Sequence, residues 1–364
     1  MKLKLKNTPE QVELIKAMGS KNPEVSRPAT EAFAAFIGPV VQQVLQQANT
    51  AAYLYTDVEY DEDDNPSYPL DLFYEQNGKD NYVTIWSQHM AGGIPSSQIA
   101  GNAELKISTY KLDSAVSFLK KYARKSRLDV VSKAVERMSN EILVKQDRNA
   151  WAVILKGLAE GKGKFGTGVA GSQVIDAGAV AKTFGLAEIN QMITKMKRIN
   201  ASYADGTPTT SYSKGLTDIF CSAEVVEDIR AISYNAFKDD AAFEQVGDGI
   251  KDEMYRAGGA KSLFGINIID LYEFGDGQKY NTLYSSSVCG GTLSANQEIV
   301  VGVDRSTEAF VRPVARNSET GGTFTALPDD QFVTRQDKTG FYGGVEEGRV
   351  LLDARALVGL RIKL

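Results

Sequence analysis

"RLDVVSKAVERMSNEILVKQDRNAWAVILKGL", residues 127–158, is the stretch from which the rest of the chain can be placed. Leu128, Val131, Val135, Met138 and Ile142 step by three, four, three and four, the spacing of one apolar stripe on an α-helix. Ser126 and Asp129 resemble a capping box with Asp in place of the usual Glu. Apolar residues continue through Trp151, Ile154 and Leu158, and no Gly or Pro interrupts the pattern before Gly157. The pattern predicts one unbroken helix of about 30 residues, roughly 45 Å long. An ordinary helix has about 11 residues, so this one is a spine, longer than a small domain is wide.

On its C-terminal side lies "GKGKFGTG", residues 161–168. Gly161, Gly163 and Gly166 spell the G-x-G-x-x-G of dinucleotide-binding loops. That chemistry needs a strand leading in and a helix starting inside the loop, so that free backbone N–H groups point at phosphate. Here a helix leads in, and "VAGSQVIDAG" follows without a helical stripe. A Walker loop fails as well, because Thr167 stands where Lys is required. The segment reads as a linker or surface loop.

On the N-terminal side, "ELKISTY" (104–110) alternates as a strand. Before it, Tyr68, Leu70, Leu72 and Tyr74 alternate, as do Tyr82, Thr84 and Trp86, with Asn77-Gly78 between the two runs; this is a hairpin signal. Asp57, Glu59, Asp61 and Asp63 recur at every second residue and share one face if extended. Counted from Asp57 or Asp61, no Gly falls sixth and no Glu twelfth, so an EF-hand is excluded. The bland reading is a solvated, self-repelling hairpin base. Further back, Pro9 opens a short helix over 9–18, and a second is expected from Thr30, its cap, to Ala48, kinked or divided at Gly38-Pro39. These helices have small amphipathic faces and no evident partner in the sequence; an arm that packs on something else is one reading.

Beyond the glycine loop the texture is α/β. Leu186, Ile189, Ile193 and Met196 share a helix face. A turn follows at Asp205-Gly206. "TDIFCS" reads as a buried strand, and Ser222 caps a helix with Val225, Ile229 and Ile232 inward. "FGINIIDLYEF" (264–274) and "EIVVGVD" read as further strands. The chain closes with two strand-like runs joined by a segment holding Gly340, Gly343, Gly344 and Gly348, which reads as a hairpin with a wide loop.

The bulk numbers narrow the function. Of 364 residues, 43% are hydrophobic and 24% charged, enough to bury a core. The net charge of −5 argues against a protein that coats nucleic acid. The two cysteines, Cys221 and Cys289, lack the spacing of a disulfide framework and are expected as buried thiols. His89 is the one histidine, which nearly excludes zinc sites and histidine triads. No metal or cofactor is expected. Residues 32–56 carry no charge, but the apolar run "AFAAFIGPVV" is too short for a bilayer, which needs roughly 20 apolar residues. No signal peptide opens the chain, and a soluble, cytoplasmic protein is expected.

This order of elements resembles the major capsid proteins of tailed phages, the Hong Kong 97-like fold. Three stretches carry the resemblance: "RLDVVSKAVERMSNEILVKQDRNAWAVILKGL", "TDIFCSAEVVEDIRAI" and "FVTRQDKTGFYGG…GRVLLDARALVGLRI". Each is weak alone; their order across most of the chain is what counts. The resemblance implies an α+β fold with an N-terminal arm over 1–53 and an extended loop, the hairpin, over 54–104. A peripheral domain would follow over 105–184, with its spine helix at about 127–158 and the glycine loop at 161–168. An axial α/β domain would cover 185–325, and a returning peripheral hairpin and final strand 326–364.

The implied role is a shell subunit, not an enzyme. Copies form hexamers and pentamers that enclose double-stranded DNA without sequence-specific binding, in a virion capsid assembled in the host cytoplasm. Portal, scaffolding and cement proteins are the implied partners besides the chain itself. Tyr68, Leu70, Leu72, Phe73, Tyr74, Lys79, Tyr82 and Trp86 are the expected intersubunit contacts of the hairpin, since an isolated hairpin is marginal and aromatics dominate interfaces. In the type member a hairpin Lys forms an isopeptide bond with an Asn, helped by a Glu. Lys79 could play that part with Asn317 and Glu346, but Glu75 and Asp80 beside it favour the charged ammonium and oppose crosslinking. The start at Met1, without a long charged segment before the arm, implies a scaffold that is a separate protein or is dispensed with, and favours no proteolytic trimming. Two alternatives stay open: an encapsulin-type nanocompartment shell on the same fold, and an α/β enzyme using the carboxylate pairs Asp239-Asp240 or Asp329-Asp330.

Overall fold

The computed structural model describes residues 8–47, 50–62, 64–69, 104–125, 128–161, 173–178, 184–201, 215–235, 262–306, 308–317, 321–329 and 337–364. Along the chain, helices α1 (Pro9–Met18) and α2 (Pro23–Gln47) precede strands β1 (Thr56–Asp61), β2 (Ser67–Pro69), β3 (Glu104–Lys106) and β4 (Tyr110–Leu119). Helices α3 (Lys120–Arg124) and α4 (Leu128–Glu160) follow, then β5 (Val174–Asp176), α5 (Leu186–Ala201), β6 (Asp218–Cys221) and α6 (Ala223–Asn235). The remainder is β7 (Ser262–Leu263), β8 (Ile266–Asp270), α7 (Lys279–Ser285), β9 (Glu298–Val303), β10 (Phe310–Arg316), β11 (Thr325–Asp329), β12 (Lys338–Glu347), β13 (Val350–Leu351) and β14 (Leu357–Ile362). Among the described residues no helix is long and apolar enough to cross a membrane.

The described chain divides into two compact units. The first draws on residues up to 68, 105–150 and 310–350; the second holds 151–309 and 351–364. Helix α4 runs unbroken for 33 residues through the boundary at 150/151. Of its apolar stripe, Val131, Val135, Met138 and Ile142 are all buried, and the Leu128 side chain lies outside the described residues.

In the first unit, β12 is the centre of a sheet. It pairs antiparallel with β4 along its whole length, from Lys338↔Leu119 to Glu347↔Tyr110, and with β11 from Gly340↔Asp329 to Gly344↔Thr325. Strand β10 joins at Val314↔Glu347 and pairs in parallel with β1. The glycine-rich segment read as a wide closing loop is therefore strand β12 itself. Its glycines serve close approach: a Cβ at Gly343 would enter the Phe324 ring, and one at Gly340 would press on the Val116 carbonyl. The hairpin forms one step earlier than read, between β11 and β12, while β14 belongs to the other sheet.

The N-terminal helices also depart from the reading. They find a partner within this chain: Ile15, Met18, Phe33, Ile37 and Val41 enter one core with Phe118, Val131, Val135 and Phe341. The Phe33 and Phe341 rings lie 5.3 Å apart. Helix α2 begins at Pro23, not at Thr30, because Asn22 accepts a bond from the Glu24 N–H and Pro23 sits where no N–H is needed. Thr30 instead donates back to the Ser26 carbonyl at 2.7 Å, and the helix continues through Gly38-Pro39. "ELKISTY" holds only β3; the longer strand β4 starts at its last residue, Tyr110.

The second unit is built on a mixed sheet in the order β5-β14-β9-β6-β8-β7. Strands β6 and β9 are buried throughout, matching their continuous apolar runs. Helices α5 and α6 cover the sheet through Ile189, Met192, Met196, Val225 and Ile229. Ser222 caps α6, accepting from the Val225 N–H at 3.2 Å. The strand read at 264–274 is confined to β8; Phe264-Gly265, both at positive φ, make the turn before it. Trp151 is fully buried, with Phe220, Phe274 and Tyr280 rings 5.0, 5.2 and 5.5 Å away. Cys221 and Cys289 are free and buried, and burial raises both thiols above their ordinary value.

Candidate functional site

The expected contact ribbon lies in sequence between β1 and β3. Of its residues, Tyr68 lies half-buried on β2. Leu70, Leu72, Phe73, Tyr74, Lys79, Tyr82 and Trp86 lie outside the described residues, as do the Asn77-Gly78 turn and His89. The described partner of β2 is β3, and the Ile107 N–H donates to the Pro66 carbonyl at 3.0 Å beside that pair. The base of the excursion is thus closed around residue 105.

The acidic root is braced by arginines. The parallel register sets Asp57 opposite Arg312 and Asp61 opposite Arg316. Arg312 Nη1 reaches Asp57 Oδ2 at 3.3 Å, and Arg316 Nη1 reaches Glu59 Oε2 at 3.7 Å. A self-repelling base is therefore corrected to an interleaved one, because the neighbouring strand brings cations at every fourth residue. The Arg316 pair is exposed and contributes little by itself. Arg312 is different: its side chain is buried and continues inward to Glu347.

Glu347, fully buried at the end of β12, gathers four side chains. Its Oε2 accepts from Arg312 Nε at 2.8 Å and from Gln146 Nε2 at 3.1 Å. Its Oε1 accepts from the Tyr110 hydroxyl at 2.8 Å, and Arg349 Nη2 lies 3.4 Å from both oxygens. The Arg349 guanidinium sits 4.8 Å over the Tyr55 ring, whose hydroxyl donates to the Ala150 carbonyl at 3.1 Å. Burial, then the Glu347 charge, pushes Tyr110 up to about 12, so it stays a hydrogen-bond donor at any physiological pH. One carboxylate thus ties β12 to β10, β4 and α4. Asp147, one residue beyond Gln146, adds a second tie by accepting from Thr50 Oγ1 at 2.6 Å and from the Ala51 N–H at 3.0 Å, just before β1.

Sequence reasoning missed this cluster. Its members are scattered from 55 to 349, and the one available signal is that Arg312 sits between apolar residues inside the strand "FVRPVAR". The crosslinking candidates are engaged elsewhere: Glu346 accepts from Thr109 at 2.8 Å and Tyr60 at 3.2 Å, and Asn317 donates to Glu62 at 3.2 Å. Gly161 follows the end of α4, its N–H donating to the Gly157 carbonyl, and the rest of the glycine segment lies outside the described residues. Of the carboxylate pairs, Asp329 ends β11, and Asp330, Asp239 and Asp240 lie outside the described residues. Among the described residues no cluster of His, Cys, Asp and Glu could hold a metal ion.

No protein-family model and no curated protein matches the chain by sequence. Solved structures do match it. The capsid of an empty GTA particle computed with C5 symmetry aligns with 86% of this chain and 90% of its own, at 12% identity and a TM-score of 0.51. The capsid of the native GTA particle aligns over 86% and 89%, at 10% identity and a TM-score of 0.52. The asymmetric unit of the bacteriophage PhiM1 mature capsid covers 86% and 87%, at 10% identity and 0.49. The chain has the fold of the two GTA capsid chains. The α+β class expected from the sequence is the class observed, and the long helix falls where its apolar period put it. Helices α1 and α2, for which an arm packing on something else was one reading, share the core of the first unit.

Proposed function

We propose that this chain is the structural subunit of an icosahedral viral shell, self-assembling into hexamers and pentamers around packaged double-stranded DNA. The observation that carries the reading is the capsid likeness over 86% of this chain and 89% of the native GTA capsid chain. On this reading the first unit is the peripheral domain and the second the axial domain. Residues 54–104 form the extended loop, and Leu70, Leu72, Phe73, Tyr74, Tyr82 and Trp86 anchor it on a neighbouring copy. The Glu347 cluster supports the reading physically: a long ribbon that grips a neighbour needs a root that does not yield, and a buried carboxylate held by four side chains supplies one. The net charge of −5 suits a container for DNA, since a shell without excess positive charge gives phosphate no general attraction. Portal, scaffolding and cement proteins would complete the particle, and assembly would take place in the host cytoplasm.

The test is to express the full chain alone and together with its neighbouring genes, then to image the products and digest them with nuclease. Closed particles that protect double-stranded DNA support the proposal. Closed particles that hold protein cargo and no DNA transfer it to a nanocompartment shell. Recovery of single copies only, under both conditions, overturns it.

A further inference from the structure

The Glu347 cluster contains three polar atoms with no hydrogen-bond partner among the described residues: Nε and Nη1 of Arg349, and Oε1 of Gln146. Both side chains are sealed from solvent, at 1% exposure for the Arg349 side chain and 0% for Gln146. Buried polar atoms in folded proteins are nearly always bonded, so three in one cluster require an account.

Neither side chain is free to turn toward another protein group. Gln146 donates from Nε2 to Glu347 Oε2, and a flipped amide would set its oxygen against the carboxylate. Arg349 is fixed by the Glu347 oxygens on one edge and by the Tyr55 ring across its face. Both groups hold the same atom, Glu347 Oε2, which sets them side by side.

The chemistry of the orphaned atoms selects the ligand. Arg349 offers N–H donors and Gln146 offers an acceptor. A monatomic anion would suit Arg349 but repel the Gln146 oxygen; a cation would do the reverse. The local charges also balance, Arg312 and Arg349 against Glu347 and Asp57, so no ion is called for. Water accepts from an N–H and donates to a carbonyl at once, and buried waters typically make about three such bonds. We propose that Arg349 and Gln146 hold ordered internal water as a permanent part of the fold, a hydrated joint between α4 and the end of β12. The inference does not depend on the shell reading.

The test is a crystallographic or cryo-EM map of the full chain, at a resolution that orders buried waters. A peak about 2.7–3.2 Å from both an Arg349 N–H nitrogen and Gln146 Oε1 is the expected result. Loss of that peak in a Gln146→Leu variant is expected too. A peak that touches Arg349 alone and gives an anomalous signal after bromide exchange would show an anion and overturn the proposal. So would a map in which the two side chains bond directly to protein groups, or a Gln146→Leu map that keeps the peak.

Discussion

Arg312 donates from Nε to Oε2 of Glu347 at 2.8 Å, with 5% of one side chain exposed and none of the other. The pair lies directly behind β1, where the same arginine reaches outward to Asp57 at 3.3 Å. A buried ion pair of this kind is weak evidence for net stability, because desolvation opposes the attraction. Its role is positional: it fixes β10 against β12, and through Asp57 it holds β1.

Removing one partner exposes that role. Glu347→Ala leaves Arg312 and Arg349 buried with no buried counter-charge, and is expected to lower stability by about 3–5 kcal/mol. Urea denaturation of the unassembled chain measures this; a change below about 1 kcal/mol would contradict the reading of the cluster as fully desolvated.

The glycines of β12 give a sharper contrast. A Cβ at Gly343 meets the ring of Phe324, which is buried and has no room to retreat. A Cβ at Gly344 meets the carboxylate of Asp113, a side chain 41% exposed that can swing away. Gly343→Ala is expected to cost about 1–3 kcal/mol by overpacking, and Gly344→Ala less than about 1 kcal/mol. Thermal melting of the two variants side by side checks the order; equal melting temperatures would mean that the β12 glycines are not there for close packing.

These glycines also show why part of the fold was illegible. Helix α4 could be read because its apolar period persists over 33 residues and no competing pattern fits it. Strands β6 and β9 could be read because burial on both faces leaves continuous apolar runs. Strand β12 carries three glycines within five residues, and in sequence that density means a loop; only the ring of Phe324 and the carbonyl of Val116 explain it, and both are remote in the chain. The start of α2 was misplaced because Thr30 looks like a cap, whereas Asn22, followed by Pro23, supplies a better one eight residues earlier. The Glu347 cluster is a product of register between distant strands, and spacing in the sequence does not encode that.

The second unit carries a pH dependence of its own. Glu298 is buried at the start of β9, and burial first, then the charges of Glu224, Asp228 and Asp276, raise its carboxyl from 4.5 to about 7, against the opposing bond from Ser222. The folded state therefore keeps a proton that the unfolded chain has lost between about pH 4.5 and 7, and stability falls as pH rises through that window. Glu298→Gln is expected to remove this slope and to raise stability at pH 8 by on the order of 3 kcal/mol, with little effect near pH 4.5. Denaturant midpoints of both proteins across pH 4.5–8 decide it; parallel curves would refute the assignment.

The ribbon makes a prediction that separates assembly from folding. Tyr74→Ser and Trp86→Ser are expected to leave the melting of the unassembled chain unchanged while weakening each subunit contact by about 2 kcal/mol or more, as for buried aromatic anchors. Particle yield against protein concentration measures the effect. A fall in melting temperature equal to that of a core variant such as Val131→Ala would place these side chains in the chain's own core.

The most direct measurement is the mass of the purified full-length chain in solution, followed through rising protein concentration by light scattering and imaged by cryo-EM. The account predicts rings of six or five copies that close into shells. A species that remains a single copy at every concentration, alone and with its neighbouring gene products, would contradict it.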